Sequence, residues 1–388
     1  MKYLYSLLII TLLCLSGDAL HAQEKKPNLW GKLVNTLTPA TKIGTYTFKD
    51  GAVYTGELKS RRPSGEGKTL YPNGDTYEGA YRKGKREGLG TYTAQNGERY
   101  EGQWFQDQRH GRGTCYFANN NRYEGLWYQD LQTGEGTMYY YTGDTYQGQW
   151  EAGKRQGKGI YTWKDGSYYD GPWVDDKKEG QGTFVWVNGS RYEGDVQNDV
   201  RQGKGTFNYA NGDKYVGQWQ DDMQQGQGTY YFHTGERYEG SYQHGQRTGK
   251  GIYTYTNGNR YEGNFKDGMQ EGEGTFKWSI GAVYQGQWKN NQRSGHGTYR
   301  WNSGDSYEGE WRNDAFNGTG TLILNDGSRY VGQFVNGLEE GQGVQTDKEG
   351  NRHEGTFKQG KKNGAFVETD KAGKEIRRIT YKMDRPER

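Results

Sequence analysis

The side chains that could perform acid–base, nucleophilic or metal chemistry share no common spacing in this sequence. Gly67-Lys68-Thr69 resembles the end of a phosphate-binding loop, but Arg62 stands where the first glycine of that loop should be. No serine, histidine and carboxylate set stands out. No Cys/His spacing is typical of a zinc site. The histidines beyond residue 22 are His110, His233, His244, His296 and His353. We therefore expect a protein that is not an enzyme and that uses no cofactor.

Acidic pairs form the second group of candidate ligands. Asp175-Asp176 and Asp221-Asp222 could hold a weak calcium ion, since carboxylate oxygens are the ligands that calcium prefers. The Asp-x-Asp-x-Asp-Gly spacing of a dedicated calcium loop is missing, however. Solvated loops are the favoured interpretation, and no metal site is predicted.

These residues belong to a strict repeat. A tyrosine recurs every 23 residues from Tyr54 to Tyr330, and His353 takes its place in the fourteenth copy. If this tyrosine is offset 0, glycine fills offsets +2 and +11 in every copy. Glycine also fills +13 in all copies but the last, where Phe366 stands. A fixed period of this length is typical of repeat architectures.

Composition alone would place the chain near the disordered class. The mean hydropathy is -1.20 and 30% of residues are hydrophobic. However, 15% of residues are aromatic, and they occupy fixed offsets in the repeat, which disordered chains lack. The 51 basic and 48 acidic residues leave a net charge of +3. This charge is too small to indicate a nucleic-acid partner, and none is expected.

Alternation within each unit predicts β-strands. Aromatic side chains at offsets 0 and +4 flank the glycine at +2, and a second alternating run carries rings at +15 and +17, as in Tyr161 and Trp163. A three-residue loop ending in a left-handed glycine at +20 would place +15 opposite the next tyrosine. Every ring would then share one face. Arginine at -1 and glutamate at +1 should form a cross-strand ladder on the other face.

The glycines also have expected roles. At +2, the missing side chain leaves room for rings to lie over the backbone; at +11 and +13, positive φ or a close approach is expected. The predicted fold is all-β, an elongated single-layer antiparallel sheet of tandem 23-residue hairpins. At ~4.8 Å per strand, fourteen units of two strands would extend ~130 Å. Packing of ring on ring would replace a globular core.

The ends of the chain differ from the repeat. Residues 1–22 resemble a secretory signal peptide, which predicts export to the periplasm, the outer envelope or the exterior of a bacterial cell. Residues 23–41 form a linker or short capping helix, with a partner-binding segment as the alternative. The array covers residues 42–365, and residues 366–388 form a capping strand and a basic tail. Downstream of residue 22, Cys115 is the one cysteine, so no intrachain disulfide is expected.

The unit Tyr-Glu-Gly-x-Trp, followed by Gly-x-Gly and a second aromatic run, resembles the MORN (membrane occupation and recognition nexus) repeat. Residues 261–278 are a representative copy, and the resemblance weakens where Leu322 and Leu324, then Gln345 and Asp347, replace rings. The resemblance implies stacked β-hairpins used for scaffolding, dimerisation or contact with membrane lipids. Enzymes of this family carry a separate catalytic domain, and this chain has no room for one.

Two surfaces are candidates for binding. Open aromatic rows would hold a protein partner, a second copy of the chain or an envelope polysaccharide. The alternative is that neighbouring rings already cover one another. The candidate rings are Trp104, Trp127, Trp150, Trp173, Trp219, Trp288, Trp311, Tyr100, Tyr123 and Tyr146.

Basic pairs near offsets +8 and +9 form the second candidate surface, an edge that would favour anionic lipid head groups. They are Lys85-Arg86, Lys154-Arg155, Lys177-Lys178 and Lys361-Lys362. Neighbouring acidic residues dilute this edge. The sequence therefore favours a non-enzymatic scaffold that binds a protein or envelope partner, with lipid or polysaccharide binding as the alternative.

Overall fold

The computed structural model describes residues 41–387, and in this range the chain forms one open antiparallel sheet of 32 strands. Strands that follow one another in the chain are neighbours in the sheet, as in the pairings of β6 (Arg99–Phe105) with β7 (Gln108–Tyr116) and of β7 with β8 (Arg122–Tyr128). The exception is β13 (Lys177–Lys178) and β14 (Gly180–Val185), which both pair with β12 (Tyr168–Val174). The described residues contain no helix. The predicted all-β, single-layer antiparallel architecture is confirmed. The predicted signal peptide and most of residues 23–41 lie outside the described range.

The strands of the first half of the array have the following bounds: β1 Lys42–Thr47, β2 Val53–Lys59, β3 Arg62–Leu70, β4 Thr76–Arg82, β5 Lys85–Thr93, β6 Arg99–Phe105, β7 Gln108–Tyr116, β8 Arg122–Tyr128, β9 Leu131–Tyr139, β10 Thr145–Glu151, β11 Lys154–Thr162, β12 Tyr168–Val174, β13 Lys177–Lys178, β14 Gly180–Val185, β15 Arg191–Gln197 and β16 Val200–Asn208. Those of the second half are β17 Lys214–Gln220, β18 Met223–Tyr231, β19 Arg237–Gln243, β20 Gln246–Thr254, β21 Arg260–Lys266, β22 Met269–Lys277, β23 Val283–Lys289, β24 Gln292–Arg300, β25 Ser306–Arg312, β26 Ala315–Ile323, β27 Arg329–Val335, β28 Leu338–Thr346, β29 Arg352–Lys358, β30 Lys361–Thr369, β31 Glu375–Lys382 and β32 Arg385–Pro386.

Two different turns join the strands. Within a unit, two residues with positive φ connect the strands, as in Gln106 (φ 52) and Asp107 (φ 72). This is the backbone of a type I′ hairpin turn. Between units, the predicted three-residue loop is present: the Ala94 N–H bonds the Glu98 carbonyl at 2.8 Å, and Gly97 has a φ of 93°. Offset +15 therefore faces the next tyrosine, as in Tyr92 opposite Tyr100.

A β-bulge interrupts the hairpin after offset +2. Gly102 pairs with Gly113, whereas the next residue, Gln103, pairs with His110. The glycine at +11 takes the positive φ that this bulge needs, 59° at Gly111. The Gln103 side chain then accepts a 3.1 Å hydrogen bond from the N–H of Arg112. Because the bulge exposes backbone groups, the amide side chain at +3 satisfies one of them.

An unbroken row of glycines crosses the sheet from Gly44 to Gly355, where it meets Phe366. The tyrosine ring lies over this row. A Cβ atom added to Gly67 would lie 2.3 Å from Cε2 of Tyr54, and one added to Gly56 would lie 2.5 Å from Cα of Gly67. The expected close approach at +2 and +13 is therefore confirmed.

The core is a chain of edge-to-face rings that follows the long axis of the array. Tyr100 contacts Trp104 of its own unit and Trp127 of the next, with ring centroids 5.1 and 5.4 Å apart. The tyrosine hydroxyl donates a 2.9 Å hydrogen bond to the carbonyl of Gln103. Such pairs stabilise the fold beyond the area they bury, by about 0.5–1.5 kcal/mol each.

The charges on the opposite face pair differently from the expectation. The arginine at -1 bonds the glutamate two residues ahead in its own strand, so the predicted cross-strand ladder is wrong. The pair of Arg122 and Glu124 is 3.2 Å apart, and that of Arg260 and Glu262 is 2.8 Å apart. Because side chains two residues apart in a strand share a face, this contact does not need the neighbouring strand.

Candidate functional site

The candidate rings at offsets 0 and +4 are buried. Trp104 is 5% exposed and Trp150 6%, while Tyr123 and Tyr146 are fully buried. The same holds for all the other members: Trp127, Trp173, Trp219, Trp288, Trp311 and Tyr100. The structure thus brings these residues together as the core, and none of them presents an open ring face.

Three neighbours cover the ring at +4 of a typical unit, that of Trp104. Trp104 packs edge-on against Tyr77 of the preceding unit, with centroids 5.3 Å apart. The Arg86 guanidinium lies 4.0 Å from the centroid of the same ring. The Trp104 indole N–H donates a 3.1 Å hydrogen bond to the carbonyl of Gly90. The contact with the preceding tyrosine recurs wherever +4 is aromatic. The arginine joins it at Trp127, Trp173, Trp219 and Trp311.

A third aromatic row remains partly open. The rings at offset +17 pack against the core cluster but are only half-buried. We call them the +17 row. They are Phe48, Tyr71, Phe117, Tyr140, Trp163, Trp186, Tyr209, Phe232, Tyr255, Trp278 and Trp301. Ala94 interrupts the row, and Leu324 and Asp347 follow it. The rings at offset +15 beside it, such as Tyr161 and Tyr299, are half-buried too, whereas the rings at offsets 0 and +4 are buried.

Hydrogen bonds between the loops of neighbouring units position the +17 row. Asp213, at offset +21, accepts hydrogen bonds from the Tyr230 hydroxyl (2.7 Å) and from the His233 N–H (2.7 Å) of the next unit. Burial opposes ionisation, but hydrogen bonds from the His233 backbone and ring and from Tyr230 hold the pKa of Asp213 well below its usual range. The carboxylate therefore stays charged and fixes adjacent loops to each other.

The proposed basic edge is divided between two environments. The residues at +8 are exposed: Lys85, Lys154, Lys177 and Lys361. The residues at +9, namely Arg86, Arg155, Lys178 and Lys362, lie beside buried rings. The Arg155 guanidinium bonds Asp176 at 3.0 Å and the Asp176 carbonyl at 2.8 Å. The +8 charges are also neutralised in part, since Lys154 pairs with Asp175 at 3.0 Å.

The face opposite the rings carries a shallow polar groove above the glycine row. One segment of it, about 530 Å³ in volume, is walled by Glu239, Glu262 and Thr275 and floored by Gly251 and Gly263. Similar segments recur along the sheet. The groove therefore follows the repeat, and it lacks any concentration of catalytic side chains at one place.

The candidate chemical groups of the sequence analysis have the following environments in the described range. Burial raises the pKa of the Cys115 thiol to about 11, which keeps it protonated. Gly67-Lys68-Thr69 lies within β3 and precedes another strand. Asp176 and Asp222 serve as hairpin-tip residues that accept backbone N–H groups. Residues 41–387 contain no cluster of three or more His, Cys, Asp or Glu side chains suited to a metal ion. No helix in this range is long and apolar enough to cross a membrane.

The sequence analysis did not predict the polar cluster around Glu368. At the last unit His353 takes the tyrosine position, and its Nδ1 lies 3.0 Å from the buried carboxylate of Glu368. Glu368 also accepts hydrogen bonds from Arg377 (2.5 Å) and Tyr381 (2.9 Å). Burial raises its pKa, but these three partners together lower the pKa of Glu368 to about 2. The sequence does carry one sign of this cluster, since three positions that are normally aromatic in the repeat are occupied by Gln345, Asp347 and His353.

Comparison with known structures gives only remote similarity. The TCP domain of Drosophila melanogaster SAS-4, in complex with a proline-rich motif of Ana2, is 12% identical, covers 40% of this chain and 85% of its own, and has a TM-score of 0.27. The TCP10 domain of Danio rerio CPAP is 11% identical, covers 75% of this chain and 99% of its own, and has a TM-score of 0.16. Virginiamycin B lyase from Staphylococcus aureus is 8% identical, with coverages of 81% and 94% and a TM-score of 0.12. No curated protein matches the sequence.

By contrast, comparison of the sequence with known protein families gives a specific match. The MORN repeat matches fourteen consecutive segments, beginning with residues 54–76 and ending with residues 353–365. The first thirteen segments coincide with the 23-residue unit that begins at each repeat tyrosine, and the last ends at residue 365. This chain belongs to the MORN repeat family.

Proposed function

We propose that the chain is an exported, non-enzymatic scaffold that holds a protein partner along the +17 row. Its MORN repeats make it a repeat-based binding scaffold. The half-buried state of the +17 rings, next to fully buried tyrosines at offset 0, carries the choice of surface. Rings that the fold already holds in place bind a partner at a low cost in conformational entropy.

The spacing of the row supports an extended partner. Each unit contributes two strands, so consecutive +17 rings are ~9.6 Å apart along the array. A contiguous stretch from Phe117 to Trp301 provides a ring in every unit. A partner that contacts several units would gain a small contribution from each, as extended binding surfaces of repeat proteins do.

The basic edge supports lipid binding less well. The cations at +9 are occupied by rings and by turn carboxylates, and the lysines at +8 face acidic or amide side chains of the next unit. A surface paired in this way offers little net charge to anionic head groups. The protein-binding proposal therefore takes precedence over the lipid alternative.

The test is a comparison of row variants in a pull-down from extract of the producing cells, at low and high salt. We expect a discrete protein retained by the unmodified chain, lost with Trp163→Ser combined with Trp186→Ser, and kept by Val174→Ser combined with Val216→Ser. The two valines are exposed residues outside the +17 row and serve as the matched control. Equal retention by both double variants would overturn the proposal. Retention of glycan alone, or of anionic vesicles that high salt releases, would assign the array to the other ligand classes.

A further inference from the structure

Rings at offsets +15 and +17 form one continuous line of contacts along the array. Each +15 ring lies between the +17 rings of its own unit and of the unit before, as Tyr299 does between Trp301 (centroids 4.6 Å apart) and Trp278 (5.0 Å). Such contacts join fifteen rings without a break, with centroid separations from 4.4 to 6.4 Å. We call these rings the aromatic path. They are Tyr140, Tyr161, Trp163, Phe184, Trp186, Phe207, Tyr209, Tyr230, Phe232, Tyr253, Tyr255, Phe276, Trp278, Tyr299 and Trp301, all half-buried except the buried Phe207.

The tryptophans of the described range differ in the state of their indole N–H groups. All seven at offset +4 donate to a backbone carbonyl of the preceding unit, as Trp311 does to Gly297 at 3.0 Å. Within residues 41–387, the indole N–H groups of the four path tryptophans have no protein acceptor. These are Trp163, Trp186, Trp278 and Trp301. Because an indole can only donate, the path offers hydrogen-bond donors as well as ring faces to a ligand.

The spacing of the path matches the turn of a polyproline II helix. Strands lie ~4.8 Å apart and each unit adds two, so the path repeats every ~9.6 Å. A polyproline II helix has three residues per turn and rises ~3.1 Å per residue, which gives a turn of ~9.3 Å. Over the seven unit intervals from Tyr140 to Trp301, the two repeats drift apart by only ~2 Å. Every third residue of such a ligand would therefore face a successive unit.

Other regular backbones do not keep this register. An extended β-strand presents a side chain to one face every ~6.8 Å, which is ~2.8 Å out of step after one unit. Two turns of α-helix span ~10.8 Å and are ~8 Å out of step after seven units. A polyproline II helix also makes no internal hydrogen bonds, so its carbonyls remain available as acceptors for the indole donors. Aromatic-lined grooves are the surfaces that recognise proline-rich segments in this conformation.

The charges beside the path indicate an uncharged ligand. The Asp144 carboxylate accepts a 2.7 Å hydrogen bond from the Tyr161 hydroxyl, and the same contact recurs at Asp213. On the other side, the Arg155 guanidinium bonds the Asp176 carboxylate at 3.0 Å, and the same pairing recurs along the array. Charges that are already paired offer little to an acidic or basic segment. A proline-rich segment needs no opposite charge, since its contacts are rings and carbonyls.

We propose that the aromatic path binds a proline-rich segment of the partner as a polyproline II helix. Prolines pack against the rings of successive units, and ligand carbonyls accept hydrogen bonds from the indole N–H groups of the path. Seven unit intervals accommodate about 21 ligand residues, three for each unit. This inference rests on the proposed function, because it names the class of ligand that the same surface holds.

Fluorescence anisotropy with synthetic peptides tests the ligand class. The full chain is titrated into a fluorescein-labelled peptide of seven Pro-Pro-Ala triplets, which spans ~65 Å as a polyproline II helix. The comparison peptides are seven Gly-Ser-Ala triplets, a flexible chain of equal length, and three Pro-Pro-Ala triplets. We expect the long proline peptide to bind at least tenfold more tightly than either, since it contacts more units and is already ordered. A long proline peptide that binds no better than either comparison peptide would overturn the proposal.

A pair of conservative substitutions tests the indole donors. Trp278→Phe combined with Trp301→Phe keeps both rings but removes two donors, and should weaken binding of the long proline peptide about fivefold or more. Tyr128→Phe combined with Tyr231→Phe removes two exposed hydroxyl donors away from the path and is the matched control. Thermal unfolding of each variant checks that the fold is kept. Equal affinity in the tryptophan and tyrosine variants would contradict the assigned hydrogen bonds.

The outcomes separate this inference from the proposed function. A protein partner retained through Trp163 and Trp186, by a chain that does not bind the long proline peptide, would overturn the polyproline ligand and leave the scaffold in place. Failure of both the pull-down and the peptide titration would overturn both proposals. Quenching of tryptophan fluorescence by cellohexaose, with no binding of the proline peptide, would assign the path to glycans and overturn the inference.

Discussion

Glycine at offset +13 lies directly beneath a tyrosine ring, and this contact explains why the residue type is so restricted. A Cβ atom at Gly159 would lie 2.3 Å from the Tyr146 hydroxyl oxygen and 2.5 Å from its Cζ. The ring cannot retreat, because it is fully buried and its hydroxyl bonds the carbonyl of Gln149 at 2.9 Å. The absence of a side chain at this position is therefore a packing requirement.

We expect Gly159→Ala to lower the free energy of unfolding by about 1–3 kcal/mol, the usual range for overpacking a filled core. Thermal unfolding followed by near-ultraviolet circular dichroism would measure the effect, since the clash displaces an aromatic ring. Gly44→Ala is the control: its Cβ would meet the flexible Leu58 side chain at 2.9 Å, and a smaller loss is expected. A loss at Gly159 no greater than that at Gly44 would contradict this account.

Glu339 is a residue whose charge works against the fold. Burial raises the pKa of its carboxyl to about 7, with a further contribution from Asp384, while Lys362 acts in the opposite direction. The folded chain binds this proton more tightly than the unfolded chain does. The resulting stabilisation is complete below about pH 4.5 and is lost as the pH rises through 7.

Glu339→Gln should therefore flatten the dependence of thermal stability on pH between 4.5 and 7. The variant should also unfold at a higher temperature than the unmodified chain at pH 8, where the unmodified carboxylate is charged. Differential scanning calorimetry at several pH values would check both effects. Glu349→Gln, at an exposed position in a loop, is the control and should leave the profile unchanged. An unaltered pH dependence in Glu339→Gln would contradict the assignment.

At the scale of strands and loops, the repeat sequence predicted the inter-unit loop, the shared ring face and the glycine contacts. Period-two alternation decided the face of each ring, so the register of Tyr92 against Tyr100 followed from the loop length. The intra-unit turn was not predicted, because its residues vary among Asp, Asn, Gln, Gly, Ser, Arg, Lys, Ala and His while sharing a positive φ. Asp107 also bonds the backbone N–H of Arg86, a contact that spans 21 residues and leaves no local signal.

The site was predicted less well than the strands, for a physical reason. Alternation shows which rings share a face, but it does not show which of them a neighbouring unit will cover. Arg86 lies over Trp104 because the hairpin tip of the next unit anchors it. From the sequence alone, an arginine at this offset would be interpreted as a solvent-exposed charge. The sequence therefore leaves the rings at offsets 0 and +4 as candidates for an open surface, with mutual cover as the alternative, and in the structure they are buried.

The difference between the +4 and +17 rows predicts different costs of truncation. Trp150→Ala removes a buried ring and should destabilise the array by about 3–5 kcal/mol. Trp163→Ala removes a half-buried ring of the +17 row and should cost less than half as much, because part of its surface already contacts water. Chemical denaturation monitored by circular dichroism would compare the two. Equal losses would contradict the division of the ring face into a core and a binding row.

At the scale of the whole molecule, each described unit pairs only with the units next to it in sequence, so stability is expected to be a sum of unit and interface contributions. Such arrays open first at their ends. The two ends here differ: the first unit has a half-buried Leu58 at offset +4, whereas in the last unit His353 replaces the tyrosine and joins an ionic cluster beside the rings of Phe366 and Tyr381. Arg377 occupies the place of the next tyrosine, opposite Glu368, so the ionic contacts continue the geometry of the rings.

This replacement predicts where the C-terminal end opens when its central carboxylate is removed. Glu368→Ala deprives His353, Arg377 and Tyr381 of their shared acceptor and leaves a cavity in a buried position. Because one partner of a buried ionic contact is lost, the remaining polar groups are left without compensation. Amide exchange should accelerate by at least tenfold in β30 and β31 and stay unchanged in β15 and β16. Glu354→Ala, an exposed carboxylate on the adjacent strand, should change neither region. Acceleration spread evenly along the array would show that the units unfold as one block, and would contradict local opening from this end.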